Sequence, residues 1–575
     1  MMQAPTLDHL RMSMVLLMEG HLFDSGLINH VLDVIEQREG SVHFDECIFP
    51  RGCGASVSSE PVKSRVVLRV TANDLDTLAS IETKIQTLVT AIQKADASMK
   101  RLDKNGDRLV GVATVETPKQ LKRVLLLGAG RVATSFVEYL SRSGDVRVVV
   151  AGDKEDEVRA VASKASNGQH VILNATTDQR MLSELIEDAD LVCSLLPAPM
   201  HPLIAQECIF HRKHLVTASY ESDEMRELNQ RAIDANVIIL NEVGLDPGLD
   251  HMSAMKIIDD IKSRGGTVTR FSSVCGGLPA PEASNNPLRY KFSWSPLGVI
   301  RASQNSALYR LDGKIVRVPG RDLLRSAEPF DEAWPELQLE CLPNRDSIRY
   351  ESVYGIENAG TIFRGTLRYS GFSRLLNVFK NMGLLEPTSI EQKNWPDIID
   401  MLRRQSGGFE SLQAFLDVCS NGDTDTSRNA MQTLEWLGLL DARTCPSINQ
   451  STVLDAFCSV LEDHLRYSPG ERDMVAMHHR IDATFDDGET EEHHFSQLQV
   501  FGCSKGSAMA KTVGYPAAAS AELILEGALT EERGLLLPIV RKVYEPVLEK
   551  MEEIDITFSE GVSYHYPTKD HAEKA

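Results

Sequence analysis

Between residues 122 and 241, short apolar runs alternate with segments of helical spacing. The runs at 122–127, 146–151, 170–174, 190–196, 214–218 and 237–241 read as buried strands. Helices are predicted at 131–142, from about 155, and at 180–187, 202–210 and 223–235. Six strands joined by crossover helices predict an α/β Rossmann fold with a doubly wound parallel sheet. Upstream, runs at 13–18, 41–48 and 65–70 read as strands. Leu27, Ile28, Val31, Leu32, Val34 and Ile35 form one helix face, and Asn73 is placed to cap a second helix running to about 94. That is a small α+β module, followed by a polar linker at 96–120.

Downstream, 268–369 reads as strands and long loops. Residues 375–465 read as helices, with a polar break at 420–426 and a stop near Pro446. Residues 473–485 and 491–501 alternate about Asp487-Gly488, a hairpin signal. A small-residue helical stretch at 507–521, broken at Gly514-Tyr515-Pro516, should return to the nucleotide domain. A helix at 540–551, a last strand at 554–558 and a polar tail at 567–575 complete the pattern. The expected domains are a module with linker (1–118) and a nucleotide domain (119–245, completed by about 506–530). They are followed by an α+β substrate and dimerisation domain (246–374, completed by about 467–505 and 531–566) and a helical insertion (375–466).

The first alternation carries Gly128-Ala129-Gly130-Arg131-Val132-Ala133 between strand and helix. Gly128 permits a tight turn, Gly130 lets a pyrophosphate approach the main chain, and Ala133 allows close helix packing. The helix N-terminus offers free N–H groups to phosphate. Ligands in such sheets lie at the carboxyl ends of the strands. The candidate cofactor residues are therefore Gly128, Gly130, Arg131, Val132, Ala133, Asp153, Asn174, Ala175, Leu196 and Pro197, with Asp246, Pro247 and Gly248 beyond the last strand. Asp153 can accept from ribose hydroxyls and repels a 2′-phosphate, which favours NAD over NADP. Lys154 beside it pulls the other way.

Composition narrows the partners. The 575 residues allow roughly four domains. A net charge of −22 argues against nucleic acid. No apolar run suits a membrane span, and the N-terminus lacks a signal or transit layout, so a cytoplasmic protein is expected. Ten cysteines without a CxxC pair suit reduced thiols. His21, His30 and His43 are isolated. The pairs His478-His479 and His493-His494 are offset across the expected hairpin, His479 opposite Ser496 and His494 opposite Ile481, and no ligand set completes them. No metal is expected.

More specific stretches follow the last strand. They are Asn241-Glu242-Val243-Gly244-Leu245-Asp246-Pro247-Gly248-Leu249-Asp250-His251, then Cys275-Gly276-Gly277-Leu278-Pro279, Asn286-Pro287-Leu288-Arg289-Tyr290-Lys291-Phe292-Ser293-Trp294-Ser295, Pro343-Asn344-Arg345-Asp346-Ser347 and Phe363-Arg364-Gly365-Thr366-Leu367-Arg368-Tyr369. In this order and spacing, from about residue 121 onward, they resemble the glutamate-forming saccharopine dehydrogenase family. Gly20-His21-Leu22-Phe23-Asp24 resembles the segment ahead of the dehydrogenase half in plant-type bifunctional lysine-ketoglutarate reductase/saccharopine dehydrogenase. The resemblance implies a dehydrogenase half, with a reductase half on a separate chain or a missing upstream segment. Fungal members that use NADP carry an arginine where Asp153 stands, which again favours NAD.

The implied substrate is saccharopine, a secondary amine joining the lysine ε-carbon to glutamate nitrogen. The implied reaction, in lysine catabolism, yields glutamate and 2-aminoadipate 6-semialdehyde. Such chemistry needs a base to keep the amine neutral and cationic clamps for three carboxylates. The family's saccharopine-binding positions map onto Ser219, Tyr220, Asp246, Cys275, Arg345, Thr366 and Arg368, with Arg345 and Arg368 as clamps. Asp246, Tyr220, His251 and Lys291 are all candidate bases, and Asp246 with Tyr220 is carried forward as the catalytic pair. Cys275 reads as an ordinary buried thiol, because the reaction needs no sulfur intermediate. The resemblance also suggests a homodimer. Two other readings remain: a dehydrogenase of another amine on the same fold, and a non-catalytic NAD or amino-acid sensor.

Overall fold

The structure, a computed structural model, describes residues 12–20, 22–23, 25–38, 40–48, 64–92, 97–102, 121–392, 394–445, 451–485 and 490–565. The chain divides into two compact units, Met1–Leu121 and Lys122–Ala575.

The first unit contains β1 (Met12–Gly20), α1 (Leu27–Glu36), β2 (Ser41–Ile48), β3 (Ser64–Ala72), α2 (Leu75–Ala91) and β4 (Ser98–Leu102). The strands pair antiparallel in the order β2-β3-β1-β4. Alternation along β1 buries Met14, Leu16 and Met18 against both helices. Asp74, not Asn73, caps α2, its carboxylate accepting from Thr77 N at 2.7 Å. Part of the expected linker is strand β4, because Leu102 packs with Val15, Leu17 and Val67. His21, Asp24 and residues 103–120 lie outside the described residues.

The second unit begins with β5 (Lys122–Leu127), α3 (Ala133–Leu140), β6 (Val146–Gly152), α4 (Glu155–Ala162), β7 (Gln169–Ile172), α5 (Gln179–Glu187) and β8 (Leu191–Ser194). It continues through α6 (His201–His211), β9 (His214–Thr217), α7 (Asp223–Glu227), α8 (Asn229–Asp234) and β10 (Ile238–Leu240). The single helix expected at 223–235 is thus two short ones. The parallel sheet has the order β19-β10-β9-β8-β5-β6-β7. Its seventh strand, β19 (Gly534–Leu536), comes from a segment expected in the substrate domain, and pairs with β10 from Ile238 to Leu240.

After α9 (Leu249–Ser263) the chain builds a second, nine-stranded sheet from β11 (Thr267–Pro279), β12 (Ala307–Leu311), β13 (Lys314–Val318), β14 (Glu328–Phe330), β15 (Leu339–Pro343), β16 (Thr361–Tyr369), β17 (Asp473–Thr484), β18 (Glu491–Phe501) and β20 (Ser559–His565). Helices α10 (Pro296–Ala302) and α11 (Tyr350–Tyr354) lie in its connections. The helical insertion is α12 (Phe372–Asn381), α13 (Trp395–Gln405), α14 (Leu412–Cys419), α15 (Thr424–Trp436) and α16 (Val453–His464), around buried Trp395, Phe379 and Phe457. The hairpin register places His479 opposite Ser496 and Ile481 opposite His494, as expected, although Asp487 and Gly488 fall outside the described residues.

The expected break at Gly514-Tyr515-Pro516 does not occur. Helix α17 (Ala508–Leu525) runs through Pro516. Tertiary packing overrides the local signal: a Cβ on Gly514 would sit 2.8 Å from Val132 O and from Phe136 N, so the two helices touch backbone to backbone. Helix α18 (Arg541–Glu552) follows. The last strand is β20, not 554–558, and it pairs with the edge of β18.

Candidate active site

The phosphate turn joins β5 to α3. Gly128 has φ 99°, and a Cβ there would lie 3.1 Å from the Leu195 carbonyl carbon. A Cβ on Gly130 would meet nothing within 4 Å. The first glycine is therefore dictated by the fold, and the second leaves open space where α3 begins. An open backbone cradle at a helix N-terminus fits the pyrophosphate of a dinucleotide. The Arg131 side chain donates to Phe292 O at 2.6 Å and pairs with Glu462 at 2.9 Å. It therefore ties the turn to the substrate domain and to α16. Asn174 accepts from Thr176 N (3.0 Å) and Thr176 Oγ1 (2.6 Å), shaping its own turn, and Ala175 is buried. Leu196 and Pro197 follow β8 beside the turn, and Asp153 is exposed after β6.

The reactive end lies where β9 and β10 meet the second sheet. The sequence from Gly244 to Leu249 forms a tight loop. Its Asp246–Pro247 bond is cis, and a Cβ on Gly248 (φ 150°) would overlap Gly244 O at 2.0 Å. Gly248 N donates to Asp250 Oδ1 at 2.6 Å, which fixes the start of α9.

This loop delivers Asp246 to Tyr220, whose hydroxyl donates to Asp246 Oδ1 at 2.6 Å. Arg364, on β16 and 4% exposed at its side chain, closes the cluster. Its Nη2 donates to Asp246 Oδ1, to Asp250 Oδ2 at 2.6 Å and to Tyr220 OH at 3.2 Å. Its Nη1 donates to Tyr350 OH at 2.7 Å. Burial pushes the Asp246 carboxyl above its ordinary value against the pull of Arg364. Burial also opposes ionisation of Asp250, yet His251 and Arg364 outweigh it and hold Asp250 low. Burial drives the Tyr220 hydroxyl well up, so it remains a phenol.

Two of the candidate bases are committed elsewhere. His251 Nε2 donates to buried Glu242 Oε2 at 2.7 Å, and Nδ1 shares a 2.5 Å hydrogen bond with Tyr354 OH. Lys291 pairs with Glu471 at 2.5 Å. That leaves Asp246 and Tyr220 as the candidate pair.

Cys275 lies on β11 opposite Thr366 of β16, and burial raises its thiol well above the ordinary range, which disfavours the thiolate. Arg345 (φ 50°) stands 5.3 Å over the Tyr220 ring and has no carboxylate partner among the described residues. Arg368 is 6% exposed and packs between Tyr290 (5.1 Å) and Phe372 (5.5 Å). Its Nη1 reaches only its own chain at Leu367 O, its Nε has no partner, and no carboxylate among the described residues pairs with it. Ser219 Oγ faces His201 at 2.8 Å.

The structure brings Arg364, Asp250, Glu242 and His201 to the candidate site, and sequence reasoning did not single them out. A signal for Arg364 existed. On β16, Arg364, Thr366 and Arg368 recur at every second position of a largely buried strand, which places polar groups on one face of a sheet interior.

Comparison with known proteins gives the family. The saccharopine dehydrogenase C-terminal domain model matches residues 244–556, the saccharopine dehydrogenase NADP binding domain matches 124–240, and the LOR/SDH bifunctional enzyme conserved region matches 13–109. The chain belongs to the saccharopine dehydrogenase family. It is 38% identical to the Saccharomyces cerevisiae saccharopine dehydrogenase [NADP(+), L-glutamate-forming], over 75% of this chain and 97% of that protein. The apo structure of saccharopine dehydrogenase (L-Glu forming) from that yeast superposes with a TM-score of 0.69 at 35% identity, covering 77% of this chain and 100% of its own. The alpha-aminoadipic semialdehyde synthase of Arabidopsis thaliana is 36% identical over 94% of this chain. The mitochondrial synthase of Mus musculus is 40% identical over 76%. The chain spans about half the length of these two synthases, 54% and 47%, and corresponds to their saccharopine dehydrogenase half.

The family corrects one expectation. Asp153 was read as favouring NAD over NADP, but the matched nucleotide-domain model is described as NADP binding and the yeast relative is named for NADP(+). The physical reason lies at the rim of the site. Asp153 is exposed, and the Lys154 ammonium beside it is held only by half-exposed Glu157 at 3.0 Å. A lone exposed carboxylate does not decide the cofactor when a surface cation is its neighbour. Among the described residues no helix is long and apolar enough to cross a membrane, and no group of histidine, cysteine and carboxylate side chains could hold a metal ion.

Proposed function

We propose that the chain oxidises saccharopine with NADP and water, giving L-glutamate, 2-aminoadipate 6-semialdehyde, NADPH and a proton. Arg368 carries the reading: a buried guanidinium without a carboxylate partner is costly unless an anion completes it, and saccharopine brings three carboxylates. Arg345, exposed and 5.3 Å over the Tyr220 ring, is the second clamp.

Asp246 and Tyr220 do the proton work. The Tyr220 proton already points at Asp246, so the phenol oxygen, which also accepts from Arg364 at 3.2 Å, keeps one acceptor position for the substrate ammonium. It takes the amine proton as its own passes to Asp246, whose carboxyl is made readier to accept a proton by burial while Arg364 favours its charged form. A bound oxidised nicotinamide supplies the hydride acceptor for the carbon on the lysine side. Water then adds to the resulting imine. The carbinolamine loses its hydroxyl proton as the C–N bond breaks, and the pair returns a proton to the departing glutamate nitrogen.

The test is formation of reduced dinucleotide with saccharopine and each cofactor in turn. Turnover with NADP, together with glutamate and semialdehyde as products, supports the proposal. A folded chain that binds dinucleotide but never oxidises saccharopine refutes it.

A further inference from the structure

His201 opens α6 just beyond the end of β8, and its imidazole is 2% exposed. Three hydroxyls surround it. Nδ1 lies 3.1 Å from Ser194 Oγ, and Nε2 lies 2.8 Å from Ser219 Oγ and 3.0 Å from Thr217 Oγ1. Ser194 ends β8, Thr217 ends β9 and Ser219 is two residues on, so the cluster sits at the carboxyl ends of the strands, next in sequence to Tyr220.

We propose that His201 is a positioning residue which fixes the Ser219 hydroxyl as a hydrogen-bond acceptor toward the reacting amine. The inference rests on the saccharopine reading for its substrate, and on proton counting for its geometry.

Burial pushes His201 down to about 4, so it is neutral at working pH, with one N–H and one lone pair. Thr217 Oγ1 already accepts from Ser219 N at 3.3 Å and has its proton to place. Were Nε2 protonated, it would serve one of its two hydroxyl neighbours and turn a donor toward the other. With Nε2 bare, Thr217 and Ser219 can both aim protons at it, and Nδ1–H donates to Ser194 Oγ. The contacts therefore assign the Nδ1–H tautomer.

The Ser219 proton is then turned inward, as the Tyr220 proton is turned to Asp246. Adjacent residues 219 and 220, both half-buried, thus have their hydroxyl protons committed inward, which leaves Ser219 Oγ, and the part of Tyr220 OH that Arg364 does not occupy, as acceptors. That polarity selects a substrate nitrogen bearing hydrogens, and disfavours an ether or carbonyl oxygen at the same place.

The experiment compares variants of the full chain. His201→Leu should lower kcat/KM for saccharopine about 10- to 100-fold through misplacement of Ser219, with dinucleotide affinity by fluorescence titration unchanged. Ser219→Ala should match it, and the double variant should be no worse than either single one. His201→Gln, whose amide oxygen can stand at the Nε2 position, should restore most of the activity. Additive losses, wild-type activity in His201→Leu, or no rescue by Gln would overturn the assignment. If His201→Leu does not fold, His201→Asn reads the same bond: activity at the Ser219→Ala level supports the proposal, and activity at the His201→Gln level refutes it. A readout independent of turnover is 15N NMR of histidine-labelled protein, with the Gln variant as reference. A His201 signal with Nδ1 protonated and Nε2 bare is expected, and a proton on Nε2 overturns the inference even if saccharopine is not the substrate.

Discussion

The phosphate turn and the Arg364 cluster solve opposite problems. At the turn, function is carried by the backbone and by missing atoms: Gly128 and Gly130 matter because nothing occupies the Cβ position. At the cluster, function is carried by side-chain atoms from distant segments, with Tyr220, Asp246, Asp250 and Arg364 brought together inside 3.2 Å. The first device is local and needs only strand, turn and helix in sequence. The second exists only when two sheets have folded against each other. Changes at the cluster should therefore cost both stability and chemistry, whereas changes at the turn should separate the two.

The largest effect is expected from Arg364→Ala. It leaves Asp246 and Asp250 buried side by side with no cation between them, and breaking a buried pair in this way costs about 3–5 kcal/mol. Urea denaturation should show the loss, with saccharopine oxidation abolished. If stability is unchanged and only activity falls, the cluster is not structural and the contrast with the turn fails.

Asp246→Asn comes next. The amide keeps the shape and removes the proton acceptor, so kcat should fall by about 100-fold or more. The wild-type pH profile carries a sign. A base works deprotonated, and burial raises Asp246 above 3.8, so kcat/KM should fall as pH drops through a value above the ordinary carboxylate range. In the Asn variant that acidic limb should vanish. An unaltered limb would assign it to another group.

The glycine pair sharpens the contrast within the turn itself. Gly128→Ala demands φ 99° of an alanine and presses on Leu195, so it should destabilise by about 1–2 kcal/mol. Gly130→Ala meets open space, so it should leave the melting temperature alone and weaken dinucleotide binding. Titration calorimetry and thermal melting on both variants read the two outcomes. Equal melting temperatures for the pair would contradict the division.

These differences explain what was legible beforehand. The Gly128 to Ala133 turn, the alternating strands and helices, and the hairpin register follow from near-neighbour spacing, and sequence carries near-neighbour spacing openly. The β19 strand was not legible, because three residues, Gly534–Leu536, become a strand only beside Ile238–Leu240. Pro516 inside α17 was misread because contact with α3 outweighs a local helix break. At the site, the resemblance supplied Tyr220, Asp246, Arg345 and Arg368. Arg364 carries no such mark in the sequence, since its partners come from the segment after β9, the loop after β10, α9 and α11. His201 left no trace in the pattern, because its hydroxyl partners Ser194, Thr217 and Ser219 come from the ends of neighbouring strands rather than from a fixed spacing.

The smallest effect is expected at the rim, where side chains replace backbone and water screens them. Lys154 is 68% exposed at its side chain and paired with Glu157, so its whole worth to a 2′-phosphate is that of a surface ion pair, about 0.5–1 kcal/mol. Lys154→Ala should raise the KM for NADP about threefold, leave the KM for NAD unchanged, and lose its effect as salt is added. An equal rise for both dinucleotides would place Lys154 away from the 2′ position. A rise of a hundredfold would mean that the rim, like the Arg364 cluster, is built from enclosed charge. The open backbone cradle would then no longer be the main source of cofactor affinity, and the distinction between the two regions would hold only for the glycines.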